Sequence, residues 1–129
     1  MRANSDYTIC NAAAQIHNQE SVYNYWASII ALRREYKDVI VYGSFQLIDE
    51  ENPAVFAYER KFQRKRVLVA LNWSSRSLDW EVPQNATGAF EHGHLLRSNY
   101  SRAQVRLMNG VMNLSPWEAV VVLEENSLL

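Results

Sequence analysis

The sequence predicts a mainly β protein: an antiparallel β-sandwich preceded by one amphipathic α-helix. Three observations predict it. Apolar residues keep the helical spacing of three and four only between Val22 and Tyr36. From Val39 onward they fall instead into short runs and alternations separated by turn residues. Two of those runs, "VLVAL" (67–71) and "AVVVL" (119–123), are apolar at consecutive positions, as in strands covered on both faces. With 129 residues, 48% of them apolar, the chain can bury one real core but not two domains of ordinary size.

Residues 1–17 mix small and polar types without a sustained period, so an irregular segment with one helical turn around Asn11 to Gln15 is expected. Asn18 or Ser21 can cap the long helix by accepting from a free N–H of its first turn, and Glu20 suits the positive end of the helix dipole. Val22, Tyr25, Trp26, Ile29, Leu32 and Tyr36 form one broad apolar face, and Arg33, Arg34 and Lys37 suit the negative end. Such a face needs a large surface to lie against. Strands are predicted near Ile40 to Tyr42, Phe45 to Asp49, Val55 to Arg60, Val67 to Asn72, Leu78 to Glu81, Glu91 to Arg97, Val111 to Leu114 and Ala119 to Glu124. Gly43-Ser44, "DEENP", "KFQRKR", "NWSSRS", "PQNATG" and Asn109-Gly110 supply the turns between them. Alternating strands such as Val55 to Arg60 should keep one wet face.

Composition and motifs exclude more than they assign. A formal charge of −1 gives no global electrostatic reason to bind nucleic acid or an anionic membrane. Cys10 is the only cysteine, so no internal disulfide forms. No apolar run approaches the roughly 20 residues that span a bilayer, and the start lacks the basic-then-apolar order of a signal peptide. A cytoplasmic protein is expected. The four glycines form neither a nucleophile elbow nor a phosphate loop.

His92 and His94 would point to one side of a strand and could share a metal, but no third ligand lies near in sequence, so they read as surface histidines. Asp49, Glu50 and Glu51 offer the paired carboxylates of glycosidases, yet ahead of Asn52-Pro53 they read as a solvated hairpin loop. Arg60, Lys61, Arg64, Lys65 and Arg66 lack the broad basic face of a nucleic-acid binder and read as a charged edge that discourages aggregation. Trp73, Trp80 and Trp117 suit sugar stacking, but large aromatics more often anchor cores and interfaces. Asn72, Asn85, Asn99 and Asn113 stand in N-x-S/T triplets, without a signal peptide to bring them to glycosylation. No catalytic, metal-binding or cofactor-binding residue is assigned, and no cofactor is expected.

In order and spacing, "ICNAAAQIH", "SVYNYWASIIALRREYKDVIVYGSFQLID", "ENPAVFAYER", "VLVALNWSS" and "LSPWEAVVVL" resemble the C-terminal end of α-glucosidases of the α-amylase family, the maltases and oligo-1,6-glucosidases. The opening "MRANSDY" is similar to a family V-N-P-N-Y segment and departs from it at Ala3, Ser5 and Asp6. The resemblance implies that residues 1–37 are the end of a catalytic (β/α)8 barrel, whose last helix is the one read above, and that residues 38–129 are the Greek-key C-terminal domain. A complete barrel needs about 200 residues or more and cannot fit in this chain. Val22, Trp26, Ile29 and Leu32 would then contact the missing barrel. The resemblance also implies a parent enzyme that hydrolyses terminal, non-reducing α-1,4 or α-1,6 glucosidic bonds of maltose- or isomaltose-type oligosaccharides with retention. Its nucleophilic aspartate, acid/base glutamate and third aspartate would lie upstream, and no acidic residue here matches them. This chain alone would be inactive. Apart from the resemblance, a stand-alone sandwich binding carbohydrate or protein through exposed aromatics also fits the residues.

Overall fold

The structure, a computed structural model, describes residues 2–101 and 107–125. It divides into two compact units, residues 1–37 and 38–129.

The first unit is helical. Helix α1 (Ala12–Ile16) starts at Asn11, whose side chain accepts from the Ala14 N–H at 2.9 Å. Helix α2 (Val22–Glu35) starts at Ser21, whose Oγ accepts from the Asn24 N–H and donates to the Gln15 carbonyl. The junction between them is held by Asn24, whose Nδ2 lies 2.7–3.0 Å from the carbonyl oxygens of Gln15, Ile16 and Asn18. The amide thus ties the end of α1 to the following turn, adding to the backbone bonds that the Gln15 and Asn18 carbonyls already accept from Asn18 and Ser21. No residue of α2 is buried.

The second unit is a sandwich. Helix α3 (Lys37–Tyr42) crosses into it and turns at Gly43 into β1 (Ser44–Ile48). Strands β2 (Val55–Phe62) and β3 (Lys65–Asn72) form a hairpin, followed by β4 (Leu78–Glu81) and helix α4 (Gln84–His92). Strands β5 (His94–Ser98), β6 (Leu107–Met108), β7 (Val111–Leu114) and β8 (Ala119–Glu125) complete it. Among the described residues, five strands make one sheet in the order β1-β2-β3-β8-β5 and three make another in the order β4-β7-β6, every pairing antiparallel. Ile48, Ala57, Leu68, Ala70, Val120 and Val122 of the large sheet share one core with Trp80, Met112 and Leu114 of the small sheet. Helix α4 adds Ala86, Ala89 and Phe90, with Phe90 edge-on to Trp80 at 5.8 Å.

One expected strand is helical instead, and another starts later than expected. Ile40 to Tyr42 belongs to α3 although its β-branched residues favour strands. Tertiary contacts override the preference: Val39 is fully buried, and the Arg60 guanidinium donates to the carbonyls of Val39, Val41 and Gly43 at the helix end, in addition to the bond that Val39 accepts from the Gly43 N–H. The expected strand from Glu91 begins only at His94, because "QNATGAFEH" forms α4 and not a turn. Its signal was the three-and-four spacing of Ala86, Ala89 and Phe90, which Gly88 and Thr87 obscure. The two-residue β6 was not foreseen, but its Asn109-Gly110 turn was, with φ of 54° and 78°.

Gly93 joins α4 to β5 at very close quarters. A Cβ there would lie 2.4 Å from the Ala89 carbonyl oxygen and 2.9 Å from that of Leu123, both backbone atoms. Gly88, inside α4, has nothing within 4 Å. Urea unfolding should therefore separate the two: Gly93→Ala is expected to destabilise by about 3 kcal/mol or more, whereas Gly88→Ala should stabilise by roughly 0.5–1 kcal/mol.

Candidate functional site

The polar candidates are dispersed. His92 closes α4 and His94 opens β5, with Gly93 between them, so the two do not share a strand face, and His92 Nε2 stands 4.0 Å from a Glu91 oxygen. Among the described residues, no three His, Cys, Asp or Glu side chains are placed to hold a metal. Asp49 does not behave as a solvated loop acid: half-buried at φ 55°, it accepts from Trp80 Nε1 and Asn52 Nδ2, both at 2.8 Å. Glu50 and Glu51 are exposed. A hollow of about 450 Å³ is lined in part by Asp49, Asp79 and Glu81, but Asp49 serves Trp80, and Asp79 accepts from Asn113 Nδ2 at 2.8 Å.

The basic group is not a loop on a charged edge. Arg60 and Lys61 lie in β2, and Lys65 and Arg66 in β3, strands that are both internal to the sheet. Only Arg64 belongs to the turn. Each of the four strand residues has a local task. Arg60 closes α3, Lys61 and Arg66 pair with buried Glu59, and Lys65 reaches Asp38 at 2.9 Å. Arg66 also reaches Glu124 at 3.5 Å and the Asn85 carbonyl at 2.7 Å. Glu59 is 3% exposed, and burying a carboxylate without such partners is costly.

The aromatics divide by role. Trp80 is core, 2% exposed, whereas Trp73 and Trp117 are 68% and 56% exposed and meet edge to face at 6.3 Å. Trp73 borders an apolar depression of about 610 Å³ over the β1–β2 hairpin, with Leu47, Pro53, Phe56, Tyr58 and Leu71. Phe45 and Phe56 flank Tyr58 at 5.2 and 5.7 Å, and burial pushes the Tyr58 hydroxyl above its ordinary pKa.

Two polar residues whose buried role the sequence reading did not find, Asn72 and Glu118, knit the sandwich end. Asn72 is 1% exposed, and its Nδ2 lies within reach of the carbonyls of Arg76, Leu114 and Ser115, while its Oδ1 accepts from Ser74. Glu118 is fully buried and accepts from the Ser115 N–H and from Ser98 Oγ. The N-x-S reading of Asn72 therefore missed a core residue. An asparagine directly after an apolar strand was the available signal, since Asn holds loops by accepting from the backbone two residues on.

Residues 45–121 match the family described as Maltogenic Amylase, C-terminal domain. The chain belongs to this family. The chain is 35% identical over 122 residues to an alpha-glucosidase of Schizosaccharomyces pombe, covering 95% of this chain and 20% of that protein. It is 32% identical over 118 residues to an oligo-1,6-glucosidase of Bacillus cereus, covering 92% of this chain and again 20% of the relative. The chain thus spans about a fifth of the length of the curated relatives it matches. Its fold superposes on an isomaltulose synthase from Klebsiella with a TM-score of 0.80 at 28% identity, over 96% of this chain and 21% of that one. The mostly antiparallel, two-sheet architecture is that of the α-amylase family C-terminal domain.

The Asp38–Lys65 pair yields a pH test. The hydrogen bond from Lys65, with one from the Val39 N–H, holds the Asp38 carboxyl below the ordinary carboxylate range. A carboxyl lowered in the folded state stabilises fully above its unfolded value, about 3.9, and loses that contribution as pH falls through the folded value. Asp38→Asn should therefore lower the urea midpoint at neutral pH, and the gap to the parent should close as the solution is acidified below about pH 4. A gap that stays constant across that range would show that Asp38 is not its source.

Proposed function

We propose that this chain is the C-terminal portion of a retaining α-glucosidase and supports a catalytic (β/α)8 barrel that it does not itself contain. In this reading residues 1–37 complete the barrel and residues 38–129 are the domain that follows it. The observation that carries it is α2: a well-capped, fourteen-residue helix with Val22 67% and Trp26 60% exposed and Ile29 and Leu32 only half-buried. Soluble helices normally bury an apolar stripe, and this one lies open. Relatives named alpha-glucosidase and oligo-1,6-glucosidase that are five times as long support the view that its cover is the rest of such an enzyme.

The reaction proposed for the whole enzyme is hydrolysis of terminal, non-reducing α-1,4 or α-1,6 glucosidic bonds of maltose- and isomaltose-type oligosaccharides. One carboxylate attacks the anomeric carbon as another protonates the leaving oxygen, and water then releases the glucosyl group with retention. All of these groups belong to the barrel. The present chain contributes by burial, each of Val22, Trp26, Ile29 and Leu32 being worth about 1.5–3 kcal/mol when fully covered. Because synthase and hydrolase names both occur among the similar proteins, the reaction type is set outside this domain. Among the described residues no helix is long and apolar enough to cross a membrane, and we place the enzyme in the cytoplasm.

With a chromogenic α-glucoside, the isolated chain is expected to give no turnover above buffer. Saturable hydrolysis that tracks the purified chain would overturn the proposal. The isolated chain should also bind a hydrophobic dye, and Trp26→Ser should reduce the bound fluorescence. A dye-free monomer would remove the docking face.

A further inference from the structure

We propose that β1 is an open sheet edge on which a second copy of this chain pairs, strand against strand, across a twofold axis. An edge strand presents a row of backbone N–H and C=O groups without ladder partners, and proteins normally blunt such a row with charge, proline, a bulge or brevity. Among the described residues the two sheets end in four strands, β1 and β5 for the large one and β4 and β6 for the small one. Three of them are blunted. Strand β5 shifts its register between Leu95 and Arg97 and carries that arginine, β4 carries Asp79 and Glu81, and β6 is two residues long.

Strand β1 has none of these devices. Ser44, Phe45, Gln46, Leu47 and Ile48 include no charge and no proline, and they follow β2 in unbroken register from Ser44 opposite Lys61 to Ile48 opposite Ala57. The first four are exposed, Phe45 by 53% and Leu47 by 39%. Among the described residues, no backbone bond outside the β2 ladder reaches residues 44–48.

The strand that fits this edge is another β1. An antiparallel pairing centred on Gln46 sets Phe45 of each copy opposite Leu47 of the other, an apolar pair formed twice, and brings the two Gln46 side chains together on the axis. An amide both donates and accepts, so it satisfies a copy of itself. Phe45 already stands 5.2 Å from Tyr58, and the pairing continues that aromatic row into the second copy. A strand bearing charge would find no opposite charge on β1 to meet. The contact is isologous and uses up both edges, so assembly stops at two copies. A contact of one short strand is small, which sets the dissociation constant at roughly micromolar order. The inference does not depend on the proposed function, because it uses a sheet edge and not α2.

The test is sedimentation of the full chain over concentrations of roughly 1–200 μM, where a monomer should pass into a dimer. Gln46→Lys sets like charges directly opposite each other on the axis and should weaken the dimer roughly tenfold or more, as should Gln46→Glu. The Gln46 side chain is exposed, so both variants should keep the parental urea midpoint. An equimolar mixture of the two should restore the dimer, since opposite charges then meet, and Trp26→Ser on α2 should leave it unchanged. A chain that stays monomeric throughout overturns the proposal. So does a dimer that Trp26→Ser dissolves and the Gln46 variants do not, which assigns association to α2. A mixture that dimerises no better than either variant alone overturns the pairing about Gln46.

Discussion

Strands β3 and β8 are apolar at consecutive positions, so the large sheet has two faces to remove from water. Most of the architecture follows from that constraint. The small sheet and α4 close the inner face, with Trp80 and Phe90 as the largest pieces. Helix α3 closes one end of the outer face, and Arg60 couples that closure to β2 by taking up the helix carbonyls. Buried Glu59, held by Lys61 and Arg66, lies on the inner face one residue before Arg60, so charge is admitted only where it is paired.

The residues show why part of this was legible in advance and part was not. Helix α2 and its Ser21 cap, the hairpin strands, β4, β7 and β8 announce themselves by period and turn chemistry, because their own local preferences agree with the fold. Helix α3 does not, since Val39-Ile40-Val41 favours a strand and only long-range contacts from Arg60 and Lys65 make it helical. Helix α4 was hidden by Asn, Thr and Gly, which locally favour turns, while its three apolar residues are held by the core. Asn72 and Glu118 were hidden for a related reason: their tasks are set by carbonyls and amides that only the folded chain brings to them. The exposed Trp73 and Trp117 and the buried Trp80 are indistinguishable by residue type, and topology alone separates them.

The sandwich leaves apolar surface open beyond its own core. Its own core is complete, with strong side-chain hydrogen bonds at Asp49, Asn72 and Glu118 fixing the loops that leave the sheets. What is open is apolar, on α2 and on the large sheet, and area of that type gains most when another protein surface removes it from water.

Asn72 carries a further consequence for where such a chain can mature. Its amide nitrogen sits among three carbonyls inside the sandwich end, yet the tripeptide Asn72-Trp73-Ser74 is an acceptor for oligosaccharyl transfer in a nascent chain. A glycan attached there before folding would have to occupy the space now filled by the Leu114 and Ser115 carbonyls, and β3 could not close on β7. Passage through a glycosylating lumen would thus set modification and folding in competition for a single nitrogen atom.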